Sequence, residues 1–209
     1  MPGIVNPIPG QEERNVIIFM PMSPILQSPS RLLVEYEPLL PRGIALDVAA
    51  GSGRNTSYLA EHGFTVHAID RNPELLRELQ MTAHDRHLLH VTTEVVDLEG
   101  EPFPHYVLPQ ATYDVVIVFF YLFRPLFPVL VHTLKPGGML LYETFLIDNY
   151  LRYQRPRNQE FCLAHGELRM RVLGLHVLHY DEGVRQGKDG KGETYTARLL
   201  AQKERGKVR

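Results

Sequence analysis

Ala45-Leu46-Asp47-Val48-Ala49-Ala50-Gly51-Ser52-Gly53-Arg54-Asn55-Thr56 runs from an apolar stretch through small residues into a helix-like segment. This is how a strand delivers a ligand to a helix N-terminus. Gly51 and Gly53 lack Cβ, so backbone and ligand can approach closely there. The free N–H groups of the first helical turn face the same point. A second apolar run, Thr65-Val66-His67-Ala68-Ile69, ends on Asp70. A carboxylate at the tip of a second strand is placed to accept hydrogen bonds from ribose hydroxyls. A third run ends in Val96-Asp97-Leu98. The pattern fits a nucleoside-bearing cofactor.

Outward from this stretch, strands and helices alternate. Ser30 caps a helix predicted over 31–40, which Pro41-Arg42-Gly43 ends. Strands are predicted at 44–49, 65–69, 91–96, 113–120, 139–145, 175–180 and 194–202. Helices are predicted after the first strand as far as His62, from Pro73 behind its Asn72 cap to His84, at 125–134 and at 164–173. Alternation of this kind builds a doubly wound, mostly parallel sheet. The last two strands are joined by a short Gly/Lys-rich turn, too short for a parallel crossover, so they pair antiparallel. The expected architecture is α/β with seven strands and an antiparallel last strand.

The 209 residues fit one domain with a tail, and a formal net charge of −2 argues against a general nucleic-acid or anionic-membrane binder. A single cysteine, Cys162, excludes an intrachain disulfide and suits a reducing compartment. No apolar run approaches the roughly 20 residues that span a bilayer, and no signal-peptide pattern opens the chain. The expected location is cytoplasmic. Residues 1–29 carry six prolines and read as a tail, or as a cap over the cleft; 30–209 read as the domain. Oligomeric state is not legible.

His132-Thr133-Leu134-Lys135-Pro136-Gly137-Gly138-Met139-Leu140-Leu141-Tyr142 is a helix end, a break and a new strand. Together with Asp70 and Asp97 it resembles the class I S-adenosylmethionine-dependent methyltransferases, over about Ser28 to Lys203. Gly53-Arg54-Asn55 with Tyr58-Leu59-Ala60, Gly166-Glu167-Leu168 and Leu178-His179-Tyr180-Asp181-Glu182 look like the tellurite-resistance (TehB-like) branch. Ser28-Pro29-Ser30, Arg124-Pro125-Leu126 and Tyr142-Glu143-Thr144-Phe145 look more like a broader bacterial group around it. The resemblance implies S-adenosylmethionine as cofactor, held by Asp47, Ala49, Gly51, Gly53, Asn55, Asp70, Arg71, Asp97, Leu98 and Phe119. Asp47 would organise the loop or simply cap the helix. Asp97 would meet the adenine amino group or simply make a turn before Gly100. The first loop position, usually glycine, is Ala49, whose methyl group resists positive φ. A slightly remodelled loop is expected. The histidine-arginine pair of the tellurite-type enzymes has no histidine in Val184-Arg185-Gln186-Gly187-Lys188-Asp189-Gly190-Lys191.

Methyl transfer from a sulfonium mainly needs alignment and exclusion of water, and an anionic acceptor needs no general base. The expected acceptor is a small, anionic molecule such as a thiolate, a chalcogen oxyanion or a small acid. Tyr121 at the end of the fourth strand would line its pocket. The polar stretch 147–161, with Arg152, Arg155 and Arg157, reads as a mobile lid or as a solvated loop, with Arg157 and Asn158 nearest the acceptor. No catalytic residue is singled out. His84, His87 and His90 fan apart at helical spacing, so no metal site is expected. Two other readings stand beside this one: a non-catalytic S-adenosylmethionine-binding regulatory subunit, and a nicotinamide-dependent oxidoreductase, whose fingerprint wants a third glycine where Thr56 stands.

Overall fold

A computed structural model describes residues 28–101, 107–186 and 192–205. Seven strands form one sheet: β1 (Ile44–Val48), β2 (Thr65–Asp70), β3 (Val91–Val95), β4 (Tyr113–Phe119), β5 (Leu134–Phe145), β6 (Leu175–Gln186) and β7 (Glu193–Lys203). The order across the sheet is β3-β2-β1-β4-β5-β7-β6. The first five strands pair in parallel; β7 runs antiparallel to both β5 and β6. This is the doubly wound α/β sheet with an antiparallel last strand that the alternation of the sequence predicts.

Helices α1 (Arg31–Tyr36), α2 (Arg54–Glu61), α3 (Pro73–Asp85), α4 (Phe127–Thr133), α5 (Ile147–Tyr153) and α6 (Glu167–Arg171) flank the sheet. Two apolar layers result. Leu32, Leu33, Leu59 and Phe64 pack on one face of β1 and β4, and Phe127, Leu130, Leu168 and Tyr142 belong to the other. β4 is buried along nearly its whole length, as a strand covered on both faces must be.

Several predicted bounds shift for identifiable reasons. The first helix ends at Tyr36 and tightens into a 3-10 turn over Glu37–Leu39, because Pro38 has no N–H to donate. β5 begins at Leu134 and carries the Pro-Gly-Gly break inside it. A Cβ on Gly138 would stand 3.0–3.1 Å from the carbonyl oxygens of Lys135, Tyr113 and Asp114, so any larger residue would push these backbones apart by a few tenths of an ångström. The β6–β7 hairpin is longer at the β6 end than the alternating pattern suggested. The proline-rich stretch 1–27, the centre of the 100–110 loop and most of the turn between β6 and β7 lie outside the described residues.

The stretch 147–161 is not an irregular loop. It folds as α5 followed by a 3-10 turn at Gln159–Phe161. Buried Asn149 holds it down. Its Oδ1 accepts from the Thr194 hydroxyl and the Tyr195 N–H, each at 3.0 Å, and its Nδ2 donates to the Arg155 carbonyl at 2.5 Å. Arg152 donates to the Tyr195 hydroxyl at 2.6 Å and lies over that ring.

Candidate active site

The carboxyl ends of β1 to β5 meet in a cleft with a cavity of about 280 Å³. One end is formed by Asp70 and Arg71 after β2 and by Asp97, Leu98 and Glu99 after β3. The other is formed by Phe120, Tyr121 and Leu122 after β4, Phe145 closing β5, and Pro156 and Phe161 beyond α5. Ala49, at the end of β1, lies between them. Sheet order explains the division. β2 and β3 lie on one side of β1 and bring acids; β4 and β5 lie on the other and bring aromatics.

The turn after β1 is tightly specified. The Ala50 N–H donates to the Ile69 carbonyl at 3.0 Å, and the Gly53 N–H to the Ala50 carbonyl at 3.0 Å. Ala49 takes φ 56°, the left-handed conformation that glycine adopts freely, so the loop is kept and the strain is carried by the alanine. Gly53 has φ 80°, and a Cβ there would lie 2.2 Å from Leu79 Cδ1. The Asp70 carboxylate braces this turn. Its Oδ2 accepts from the Gly51 N–H and its Oδ1 from the Asn72 N–H, both at 2.8 Å. Each oxygen retains acceptor capacity toward the cleft. Asp97 Oδ1 accepts from the Glu99 N–H at 3.0 Å.

Asp47 is fully enclosed behind the turn, where its Oδ2 accepts from the Thr56 hydroxyl at 2.6 Å. Burial pushes its carboxyl up to about 7, against the pull of the Thr56 hydrogen bond and of Arg54. In the cleft itself, burial and then the neighbouring Glu99 carboxylate push the Tyr121 phenol above its ordinary range. Tyr121 stays protonated near neutrality, its hydroxyl engaged with the Glu99 carboxylate.

The structure thus brings Ala49, Asp70, Arg71, Asp97, Leu98 and Tyr121 to one cleft. Gly51 and Gly53 form the turn beside it. Asp47 lies buried behind that turn. Asn55 faces away, its Oδ1 accepting the Ser30 N–H at 2.8 Å and so fixing the start of α1. Phe119 packs into the α1/α2 core, and Phe120 is the ring that lines the cleft. β4 ends at Phe119, and the left-handed turn at Phe120, φ 57°, brings the second ring to the cleft edge of the same cluster; the sequence offers no marker of that turn. Arg157 and Asn158 are exposed and do not line the cavity; Asn158 instead caps the 3-10 turn by accepting the Glu160 N–H at 3.0 Å. Glu99, Phe145, Pro156 and Phe161 are lining residues that sequence reasoning did not assign. Their only signal was position after a strand's carboxyl end. Among the described residues no three His, Cys, Asp or Glu side chains gather as metal ligands, and no helix is long and apolar enough to cross a membrane.

Sequence comparison matches residues 45–138 to the family described as a methyltransferase domain. A protein-L-isoaspartate O-methyltransferase from Ruegeria sp. (strain TM1040) is 32% identical over 129 residues, covering 62% of this chain and 57% of the relative. The chain therefore spans less than two thirds of that relative's length. Among solved structures, TehB from Haemophilus influenzae superposes with a TM-score of 0.67 at 21% identity, over 83% of this chain and 61% of TehB. An S-adenosylmethionine-dependent methyltransferase from Methanosarcina mazei superposes with a TM-score of 0.65 at 17% identity, over 85% of this chain and 99% of its own. The fold is the one these methyltransferase structures share, residues 45–138 match a methyltransferase domain, and that domain implies S-adenosylmethionine as the cofactor. The residues present fit that group. Two carboxylates with free acceptor capacity stand at neighbouring strand ends, and Leu98 and Leu122 offer apolar surface beside them.

Proposed function

We propose that the protein binds S-adenosylmethionine along this cleft and methylates a small acceptor held at its aromatic end. The observation that carries the reading is the division of the cleft: acids at β2 and β3, aromatics at β4 and β5, and the strained Ala49 turn between them. Asp70 holds the ribose hydroxyls, and Asp97 with Leu98 holds the adenine. Ala49 and the Gly51–Gly53 turn let the rest of the cofactor cross over β1. When bound there, the cofactor would supply a methyl group activated for transfer to the acceptor's nucleophilic atom. The protein's share is alignment and exclusion of water, which requires no dedicated acid–base pair.

The resemblance to the tellurite-resistance branch supports a small-molecule acceptor. The likeness to TehB is one of fold. A thermal-shift panel tests the cofactor reading. Stabilisation by S-adenosylmethionine and S-adenosylhomocysteine, and none by nicotinamide dinucleotides, is the expected result; the reverse overturns it. Methyl transfer to any small acceptor separates an enzyme from a regulatory subunit.

A further inference from the structure

We infer that the acceptor is an uncharged molecule with an apolar or aromatic body, rather than an anion. This rests on the methyltransferase reading and names the substrate class of the same site.

Four observations converge. First, every ionisable carboxylate or guanidinium that lines the cleft stands at the β2/β3 end; the end formed by Phe120, Leu122, Phe145, Pro156 and Phe161 carries none. Second, the arginines of 147–161 are turned elsewhere. Arg152 is engaged with Tyr195, and neither Arg155 nor Arg157 lines the cavity. An anion at the aromatic end would lose hydration beside the Glu99 carboxylate that faces Tyr121, with the nearest cation over Phe120 being Arg54, 5.9 Å from the ring centroid and already donating to the Ser28 carbonyl. Third, Phe120 is held at φ 57°, unusual for a bulky residue, with its N–H donating to the Glu143 carbonyl at 2.7 Å. That backbone places its ring 5.1 Å from the Phe145 ring, in a tilted pair at the cleft. Fourth, Phe161 leaves 47% of its surface exposed at the cleft, an apolar ring open to a ligand. A proton shed by a hydroxyl, thiol or amine acceptor leaves to water on this open side.

The test uses the full chain in two measurements. Calorimetry titrates the S-adenosylhomocysteine-loaded protein with 2-naphthol and indole as uncharged probes, with benzoate, tellurite and an isoaspartyl peptide as anions, and with benzylamine as a cation. Labelled-methyl assays then compare turnover of uncharged aromatic hydroxyl and thiol compounds with that of the anions. Uncharged probes should bind at least about tenfold tighter than the anions, and Phe161→Ala should weaken them about tenfold while S-adenosylhomocysteine affinity stays within about twofold. Phe161→Arg should shift the preference toward benzoate. Tighter binding of anions or of benzylamine, or no uncharged probe binding to the loaded protein, overturns this inference and leaves the methyltransferase reading intact. Failure of S-adenosylhomocysteine itself to bind overturns that reading instead.

Discussion

Arg124 and Glu167 form a two-pronged ion pair: Nε donates to Oε1 at 2.7 Å and Nη2 to Oε2 at 3.0 Å. The same guanidinium donates to the carbonyls of Glu160 at 2.6 Å and Cys162 at 2.9 Å. One side chain thus ties the turn after β4 to α6 and to both neighbours of Phe161. Arg124 sets where that ring stands.

Removing the fork should loosen the wall and cost stability. Arg124→Met should destabilise by about 2 kcal/mol, below the value for a fully buried pair because Arg124 is partly exposed. Burial pushes Glu167 up, but Arg124, the Ala164 N–H and Arg171 overcome it and hold the carboxyl at about 2. A depressed carboxylate supplies stability above its ordinary pKa and loses it as pH falls toward the folded value. The gap between wild type and variant in urea unfolding should therefore be full at pH 6 and shrink toward pH 2. A gap independent of pH would mean that the fork contributes packing alone.

Asp47 behaves in the opposite sense. Its folded value of about 7 lies above the ordinary 3.8, so the folded state holds the proton more tightly. Its contribution to stability is present below the ordinary value and falls as pH rises from about 4 to 7. Asp47→Asn keeps an acceptor for the Thr56 hydroxyl and removes the buried charge. The variant should match wild type near pH 4 and exceed it by roughly 3 kcal/mol at pH 8. Denaturation midpoints at the two pH values check this.

The glycine-rich turn gives a paired prediction. Ala49→Gly relieves the left-handed alanine, partly offset by added freedom of the unfolded chain, and should be neutral to about 1 kcal/mol stabilising. Gly53→Ala adds a methyl group in contact with Leu79 at an unfavourable φ and should cost about 3 kcal/mol. Thermal midpoints that move together in one direction would contradict the pair.

Asp70→Ala removes the carboxylate proposed to hold the ribose and the brace on the Gly51 and Asn72 N–H groups. Asp70→Asn loses the charge and one acceptor oxygen. Calorimetry should show S-adenosylhomocysteine affinity falling by more than about tenfold for both, with the larger loss of stability in the alanine variant. Unchanged affinity in a folded Asp70→Asn variant would reduce Asp70 to a turn residue.

Much of the fold was legible because the parallel strands are short apolar runs bounded by glycine, proline or a helix cap, as at Ile44–Val48 and at Asn72-Pro73. The acidic end of the cleft was equally open to reading, since Asp70 and Asp97 follow directly on such runs and line it. The aromatic end was not. Phe119 ends β4 and Phe120 takes the left-handed turn after it, and Phe161 reaches the cleft through a long-range tie to Arg124. The segment 147–161 looked like a loop because its charges dominate its composition. What fixes it is one buried amide, Asn149, whose partners on β7 lie 45 and 46 positions along the chain. Local pattern carries no trace of such a contact.

The two ends of the cleft are also two successive stretches of chain. Every lining residue of the acidic end lies at or before Glu99, and every lining residue of the aromatic end lies at or after Phe120. The molecule is therefore divisible like a handle and an interchangeable blade. On the proposed reading, transplanting 120–161 between proteins of this architecture would exchange what is methylated while leaving the acidic end of the cleft as it was.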